Sequence, residues 1–261
     1  MIVNLGLVTA LSVFVWVLSV RLKNASIADI YWGSGFVLIS WSQFFQVGYS
    51  TRGLLLSIMA TIWGVRLAGY LFWRNAGKPE DKRYRAMRDS IGPSFVWVSF
   101  FSVFLLQVFL MWLVSFPLQL GQTSLPLYWF DAFAIAIFVL GMAFEAGGDW
   151  QLSSFLADPK NRGKVMDKGF WRYTRHPNYF GDCCVWWAFG WLALSAGAPW
   201  WSFAGTLLMT FLLLRVSGVS MLEKTIVARR PDYAAYIRRT SAFFPMPPKQ
   251  NTQEVGHLQS S

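Results

Sequence analysis

Charged residues are scarce in this sequence. Asp, Glu, Lys and Arg make up 14% of its 261 residues and hydrophobic residues 55%, where a soluble globular domain carries roughly 25% charged residues. With a mean hydropathy of +0.39, the shortage excludes a charged, water-facing shell and predicts an integral membrane protein. Histidine and cysteine each occur only twice. Cys183 and Cys184 are adjacent, which is neither C-x-x-C nor a metal-ligand spacing, so neither a disulfide framework nor a metal site is expected. The pair reads as helix-packing residues. Neither G-x-G-x-x-G nor a P-loop occurs, which excludes a Rossmann or Walker nucleotide domain. Internal repeats, low-complexity tracts and any stretch long enough for a separate soluble domain are also missing. Residues 246–261, MPPKQNTQEVGHLQSS, are polar and proline-bearing and read as a disordered tail that includes His257.

What the chain does have is long apolar runs. Seven of them, residues 2–20, 30–48, 53–73, 95–117, 128–148, 179–196 and 200–220, approach the roughly 20 residues that cross about 30 Å of hydrocarbon. The first continues to Val20 without an A-x-A-type cleavage site, so it is kept as a span. Lys and Arg number 23 against 13 Asp and Glu. With seven spans, every Lys and Arg except Arg52 and Arg66 falls on one side, and that side is cytoplasmic because these residues resist translocation. The expected fold is an all-α, seven-transmembrane-helix bundle, N-terminus outside and C-terminus cytoplasmic, forming one embedded domain over 1–245. No nucleic-acid-binding motif accompanies the net charge of +10. Its expected partners are the anionic headgroups of membrane lipids, not nucleic acid.

Polar residues collect at the cytoplasmic ends of the spans, where ionisable groups are costly and by default mark function. In YTRHPNYFGD, residues 173–182, Pro177 suits the first turn of a helix. That helix start, with Arg175, makes an anion-binding corner. Tyr173, His176 and Tyr179 belong to it, and Asn178 and Asp182, four apart, share a face. Glu145 and Asp149 form a second pair four apart, at a helix C-terminus whose dipole they oppose, so they need a cationic or hydrogen-bonding partner. Arg66 is one candidate, in a third cluster with Trp63 and Tyr70. A fourth, MLEKTIVARRPDYAAYIRRTSAFFP, mixes cations with rings and suits either a phosphate with a stacked base or an interfacial helix on anionic lipid.

The order KGFWRYTRHPNYFGD, followed by two spans and LEKTIVARRPDYAAYIRRTSAFFP, resembles a bacterial membrane family of unknown function related to steroid 5α-reductases. The resemblance runs from about Ala28 to Pro248, and its R-H-P-x-Y core is shared with sterol reductases and isoprenylcysteine carboxyl methyltransferases. It implies a helical bundle holding a nucleotide cofactor, NADPH in the reductases and S-adenosylmethionine in the methyltransferases. The cations Arg66, Arg162, Lys164, Arg172, Arg175, Arg229 and Arg230 suit the phosphates of NADPH better than a cationic methyl donor. By resemblance Asn178 holds the nicotinamide end, with Asp182 one turn beyond it; Asp149 lies toward the adenosine, and Arg66 and Tyr70 near the phosphates. Glu145, Glu223, Lys224, Tyr233 and Tyr236 complete the expected cofactor side. Asp29 falls where the reductases keep a glutamate for the substrate ketone. Trp63 replaces their ketone-polarising tyrosine, and VSGVSMLEK replaces a histidine-rich stretch; the donor that stabilises the enolate oxygen is then expected to be a protonated Asp29, with Tyr31 as a substitute.

The expected activity is NADPH-dependent reduction of a C=C bond in a lipophilic, steroid-like or isoprenoid substrate within the bilayer, in a bacterial inner membrane. The alternatives are a methyltransferase of the isoprenylcysteine type and a non-catalytic lipid-binding protein.

Overall fold

The computed structural model describes residues 1–216 and 232–249. Over these residues the chain is helical and contains no strand, apart from an isolated parallel bridge between Thr174 and Ser241. The helices are α1 (Ile2–Leu22), α2 (Ile27–Val47), α3 (Thr51–Asn75), α4 (Lys82–Ile91), α5 (Phe95–Ser99), α6 (Leu106–Val114), α7 (Phe116–Leu120), α8 (Trp129–Ala157), α9 (Pro177–Ser195), α10 (Ala204–Phe211) and α11 (Asp232–Arg239). A π-helical stretch, Phe100–Leu105, joins α5 to α6.

Four helical stretches among the described residues are long and apolar enough to cross a membrane: Ile2–Leu22, Thr51–Asn75, Lys82–Val114 and Trp129–Ala157. They match the expected spans 2–20, 53–73, 95–117 and 128–148. The expected spans 30–48 and 179–196 are the helices α2 and α9, of 21 and 19 residues, whose Asp, Asn, Ser, Gln, Gly and Trp content keeps them outside that set. Span 200–220 is described as far as residue 216, as the shorter apolar stretch Trp200–Val216. The protein is thus a helical membrane protein.

α1 carries the physical signature of a lipid solvent. Its buried residues are Asn4, Val8, Ser12, Val15 and Ser19, one stripe at helical spacing. Ile2 and Phe14, off that stripe, are 85% and 66% exposed. Polar inward and apolar outward is the reverse of a soluble amphipathic helix. It follows from hydrocarbon offering no hydrogen bonds, so that polar groups must be satisfied by protein.

The sequence predicts one domain over 1–245; the described residues fall into two compact units, Met1–Ala134 with Phe189–Leu208, and Ile135–Ala188 with the described residues from Met209 on. In the first unit Asn4 is fully buried and uses all four of its hydrogen-bonding positions. Its Nδ2 donates to Gln43 Oε1 and Gln119 Oε1, each at 2.9 Å. Its Oδ1 accepts from Ser42 Oγ at 2.7 Å and Gln46 Nε2 at 2.9 Å. Packing between α2 and α3 uses Trp63, fully buried and edge-on to Phe36 with centroids 5.6 Å apart. In the second unit, Met246 and Lys249 of the expected tail donate their N–H groups to Tyr173 O (3.0 Å) and Arg239 O (2.9 Å). Residues 250–261, with His257, lie outside the described residues.

Arg52, which the expected topology leaves isolated on the non-cytoplasmic side, is wholly buried at the start of α3. Its Nη1 and Nη2 fork onto Asp131 at 2.9 and 2.6 Å. They also donate to Leu192 O, Ser195 Oγ and Pro126 O, while Ser195 Oγ bonds Asp131 in turn. Removing one partner strands a buried charge, at a cost of about 3–5 kcal/mol, whereas apolar replacement of both is often close to neutral. Asp131→Ala is therefore expected to lower unfolding stability in detergent by about 3–5 kcal/mol, and Arg52→Met with Asp131→Leu by much less. Equal losses in the two variants would mean that desolvated charge is not what the pair holds in check.

Candidate functional site

The HPNY corner belongs to the second unit, and its position follows from how closely α8 and α9 cross there. A Cβ on Gly181 would lie 2.4 Å from Glu145 N and 2.5 Å from Gly141 O, and one on Gly148 would lie 3.1 Å from Asn178 N. At Gly181 only a residue without a Cβ allows α9 this near to α8, and at Gly148 a Cβ would fit only if its neighbours gave way. α9 begins at Pro177, as the sequence predicts, and Phe180 N–H closes the first turn on His176 O at 3.0 Å.

This approach brings Asn178 to Asp149. Asn178 Nδ2 donates to Asp149 Oδ1 at 3.0 Å, and its Oδ1 accepts from Tyr179 N–H at 3.1 Å. A primary amide has two N–H donors and two acceptor lone pairs, so these two bonds take up one donor and one acceptor position of the amide. His176 stacks on Tyr179, centroids 5.6 Å apart and planes 15° apart. Glu145, Asp149, His176 and Asp182 are all buried.

The chain just before the corner is held from several directions. Trp171 Nε1 donates to Gly148 O at 3.0 Å, and Phe170 N–H to Gln151 Oε1 at 2.9 Å. Arg175 is buried and turns its Nη1 onto the carbonyls of Ile237 and Thr240 at the end of α11, where a cation complements the helix dipole. The sequence predicts a phosphate-binding role for Arg175; in the fold it also serves as a helix cap. Tyr236, expected beside the cofactor, donates its hydroxyl to Trp171 O. Burial, reinforced by Tyr233, raises its phenol above the ordinary tyrosine value. Arg239 pairs with Asp167. Arg162, Lys164, Arg172 and Tyr173 are exposed on the 3-10 turns and loops between α8 and α9. Glu223, Lys224, Arg229 and Arg230 lie outside the described residues.

In the first unit, Asp29 accepts from Tyr84 Oη at 2.7 Å and from Arg83 Nη2 at 2.8 Å. Both of its oxygens therefore act as acceptors, whereas the role of proton donor expected of it needs a protonated carboxyl. A lattice of bonds fixes the surrounding loop. Glu80 Oε1 accepts from Ala25 N–H (2.7 Å) and Arg88 (2.8 Å), and Asp81 N–H donates to Ser26 Oγ (2.7 Å). Burial alone would raise the Glu80 carboxyl, but the bonds from Arg88 and Ala25 and the charges of Arg88 and Arg85 outweigh it and hold it below the usual carboxylate value. This contribution to stability is present above the ordinary carboxylate range and is lost as pH falls through the lowered value. Tyr31 is buried, its hydroxyl 3.2 Å from Ser12 Oγ, and Ser12 Oγ also reaches Phe104 O of the π-helical stretch at 3.2 Å. Arg66 lies over the Tyr70 ring at 5.4 Å, and Arg74 lies over the same ring at 5.8 Å.

Sequence reasoning missed Thr174, Tyr84, Arg83 and Arg74. A cue existed for Arg74, because Arg66, Tyr70 and Arg74 repeat at four-residue intervals on one helix face. For Thr174 and Tyr84 the partners Phe243 and Asp29 are 55 or more residues away, and no local pattern marks them.

A family model described as "Protein of unknown function (DUF1295)" matches residues 15–240. An uncharacterized protein of Schizosaccharomyces pombe, C594.04c, is 25% identical over 278 residues, covering 94% of this chain and 79% of its own. No solved structure matches the chain. Neither description names an activity, a cofactor or a steroid reductase. With the match running from within α1 to the last turn of α11, the chain belongs to the DUF1295 family of proteins of unknown function.

Proposed function

We propose that this protein is an NADPH-dependent membrane oxidoreductase that reduces a C=C bond of a lipophilic substrate, with the nicotinamide end held at the start of α9. The observation that carries the reading is the Asn178–Asp149 pair. Its remaining donor and acceptor match the acceptor and donor of a carboxamide, so the residues present fit a nicotinamide. Asp149 orients that amide, and the His176–Tyr179 stack offers a planar surface beside it. Arg162, Lys164 and Arg172, exposed in the same unit, supply positive charge for the phosphates.

When bound, NADPH would supply the hydride for one carbon of the C=C bond, the other carbon taking a proton. The protein's share is orientation and stabilisation of developing charge. The parts of Asp29, Tyr31, Trp63, Arg66 and Tyr70 in substrate and phosphate binding rest on the likeness to steroid 5α-reductases. Seven spans and an outside N-terminus are the topology this reading goes with, supported by the one-sided distribution of Lys and Arg; residence in a bacterial inner membrane rests on the resemblance alone.

A second reading has its own observation. The second unit buries three carboxylates, Glu145, Asp149 and Asp182, a setting suited to the cationic sulfonium of S-adenosylmethionine. Ligand-dependent melting separates the two, because a ligand of the folded state alone adds RT ln(1 + [L]/Kd) to stability. The purified full-length protein is expected to melt higher with NADPH than without it. A rise with S-adenosylmethionine and none with NADPH would move the assignment to a methyltransferase.

Asn178→Ala removes the amide edge and leaves polar groups of the ligand unpaired, a loss of about 1–3 kcal/mol, or roughly 5- to 150-fold in NADPH affinity. Phe180 packs edge-on to Phe144 and Phe243, so Phe180→Ala is expected to lower stability more than affinity. Titration of both variants by intrinsic fluorescence checks this, and an Asn178→Ala protein that binds NADPH like the parent would remove the main support for the reading.

A further inference from the structure

After α11 the chain turns back along the segment that leads into α9, and the bonds between the two are specific. Arg175 N–H donates to Ser241 O at 2.9 Å and Met246 N–H to Tyr173 O at 3.0 Å, around the Thr174–Ser241 bridge. Thr174 stands at the centre, with no exposed surface. Its hydroxyl donates to Phe243 O at 2.8 Å and accepts His176 N–H at 3.3 Å. One side chain thus ties the returning segment to the backbone of His176, two residues before Asn178. Tyr236 fixes the other end through Trp171 O, and Trp171 is itself bonded to Gly148 O, beside Asp149. The two residues that form the amide–carboxylate pair are therefore each one or two residues from an atom that this network holds.

We infer that the segment Thr240–Met246 is a strap that positions the Asn178–Asp149 pair for the dinucleotide, with Thr174 and Tyr236 as its positioning residues; the inference rests on the NADPH reading of the site. Neither residue needs to touch the ligand. Thr174 acts through the His176 amide, and Tyr236 through Trp171 and Gly148. The strap is formed by a segment that follows α9 by more than 40 residues in the chain, so the corner takes its final geometry only when the C-terminal part of the second unit has packed. Arg175 belongs to the same device, since its guanidinium holds the end of α11 from which the strap departs.

The test compares Thr174→Val, which keeps shape and loses the hydroxyl's bonds, with Thr174→Ser, which keeps the hydroxyl, in the full-length protein. Without ligand, hydrogen exchange at Arg175 and His176 is expected to speed up about tenfold in Thr174→Val and to stay near the parental rate in Thr174→Ser. Exchange in the middle of α8 should be unchanged in both. With ligand, Thr174→Val is expected to bind NADPH about tenfold more weakly and 2′-phospho-ADP-ribose, which lacks the nicotinamide, as the parent does. A merely structural role would weaken both ligands together. Equal weakening of the two, unchanged exchange, or a Thr174→Val protein indistinguishable from Thr174→Ser overturns the strap while leaving the NADPH reading intact. A parent protein that binds neither ligand overturns that reading and this inference with it.

Discussion

The second unit depends on how near two helices can come. At Gly181 the backbones of α8 and α9 lie so close that a Cβ would collide with main-chain atoms, and at Gly148 one would sit in tight contact with Asn178 N. That approach places Asn178 within hydrogen-bonding reach of Asp149. It also takes the polar start of α9 out of lipid, where an unsatisfied amide is expensive. Everything proposed about function stands on this crossing, because a wider separation would leave Asn178 and Asp149 as two isolated polar groups.

Two physical demands shape the rest. Hydrocarbon accepts no hydrogen bonds, so Asn4, Arg52 and Asp131 are sunk among partners that use their polar positions. Large apolar residues such as Ile2 and Phe14 face outward. Where the helices end, charged groups hold loops instead of facing lipid. Glu80, Asp81 and Asp29 are bonded to Arg88, Arg83, Tyr84 and the backbone of Ala25.

Helix positions were largely legible in the sequence. Hydrophobic run length located Ile2–Leu22, Thr51–Asn75 and Trp129–Ala157 to within a few residues, apart from α8's continuation to Ala157. Pro177 marked the start of α9 because a residue without an N–H fits the first turn. The four-residue spacing of Glu145 and Asp149 put both on one face, and both are buried, but α8 runs on to Ala157, so they do not sit at the helix C-terminus expected for them, whose dipole they would oppose. Partners were not legible. Arg52 and Asp131 are 79 residues apart, and Thr174 and Phe243 are 69 apart, so only the tertiary fold brings them together. Arg175 illustrates the limit. Its place beside a helix N-terminus reads as an anion site, yet the carbonyls of α11, more than 60 residues on, take its guanidinium. Counting cations along a sequence overstates the charge left for a ligand, because it cannot see which ones the fold has already engaged.

A dinucleotide at the amide edge that begins α9 is what distinguishes a cofactor site from a helix start. Native mass spectrometry of the full-length protein, extracted gently from its own membrane, tests this most directly. An adduct with the mass of NADPH or NADP+ is expected, and it should disappear when Asn178 is replaced by Ala. A protein that carries only phospholipid, with the same spectrum for Asn178→Ala, would contradict a cofactor site there.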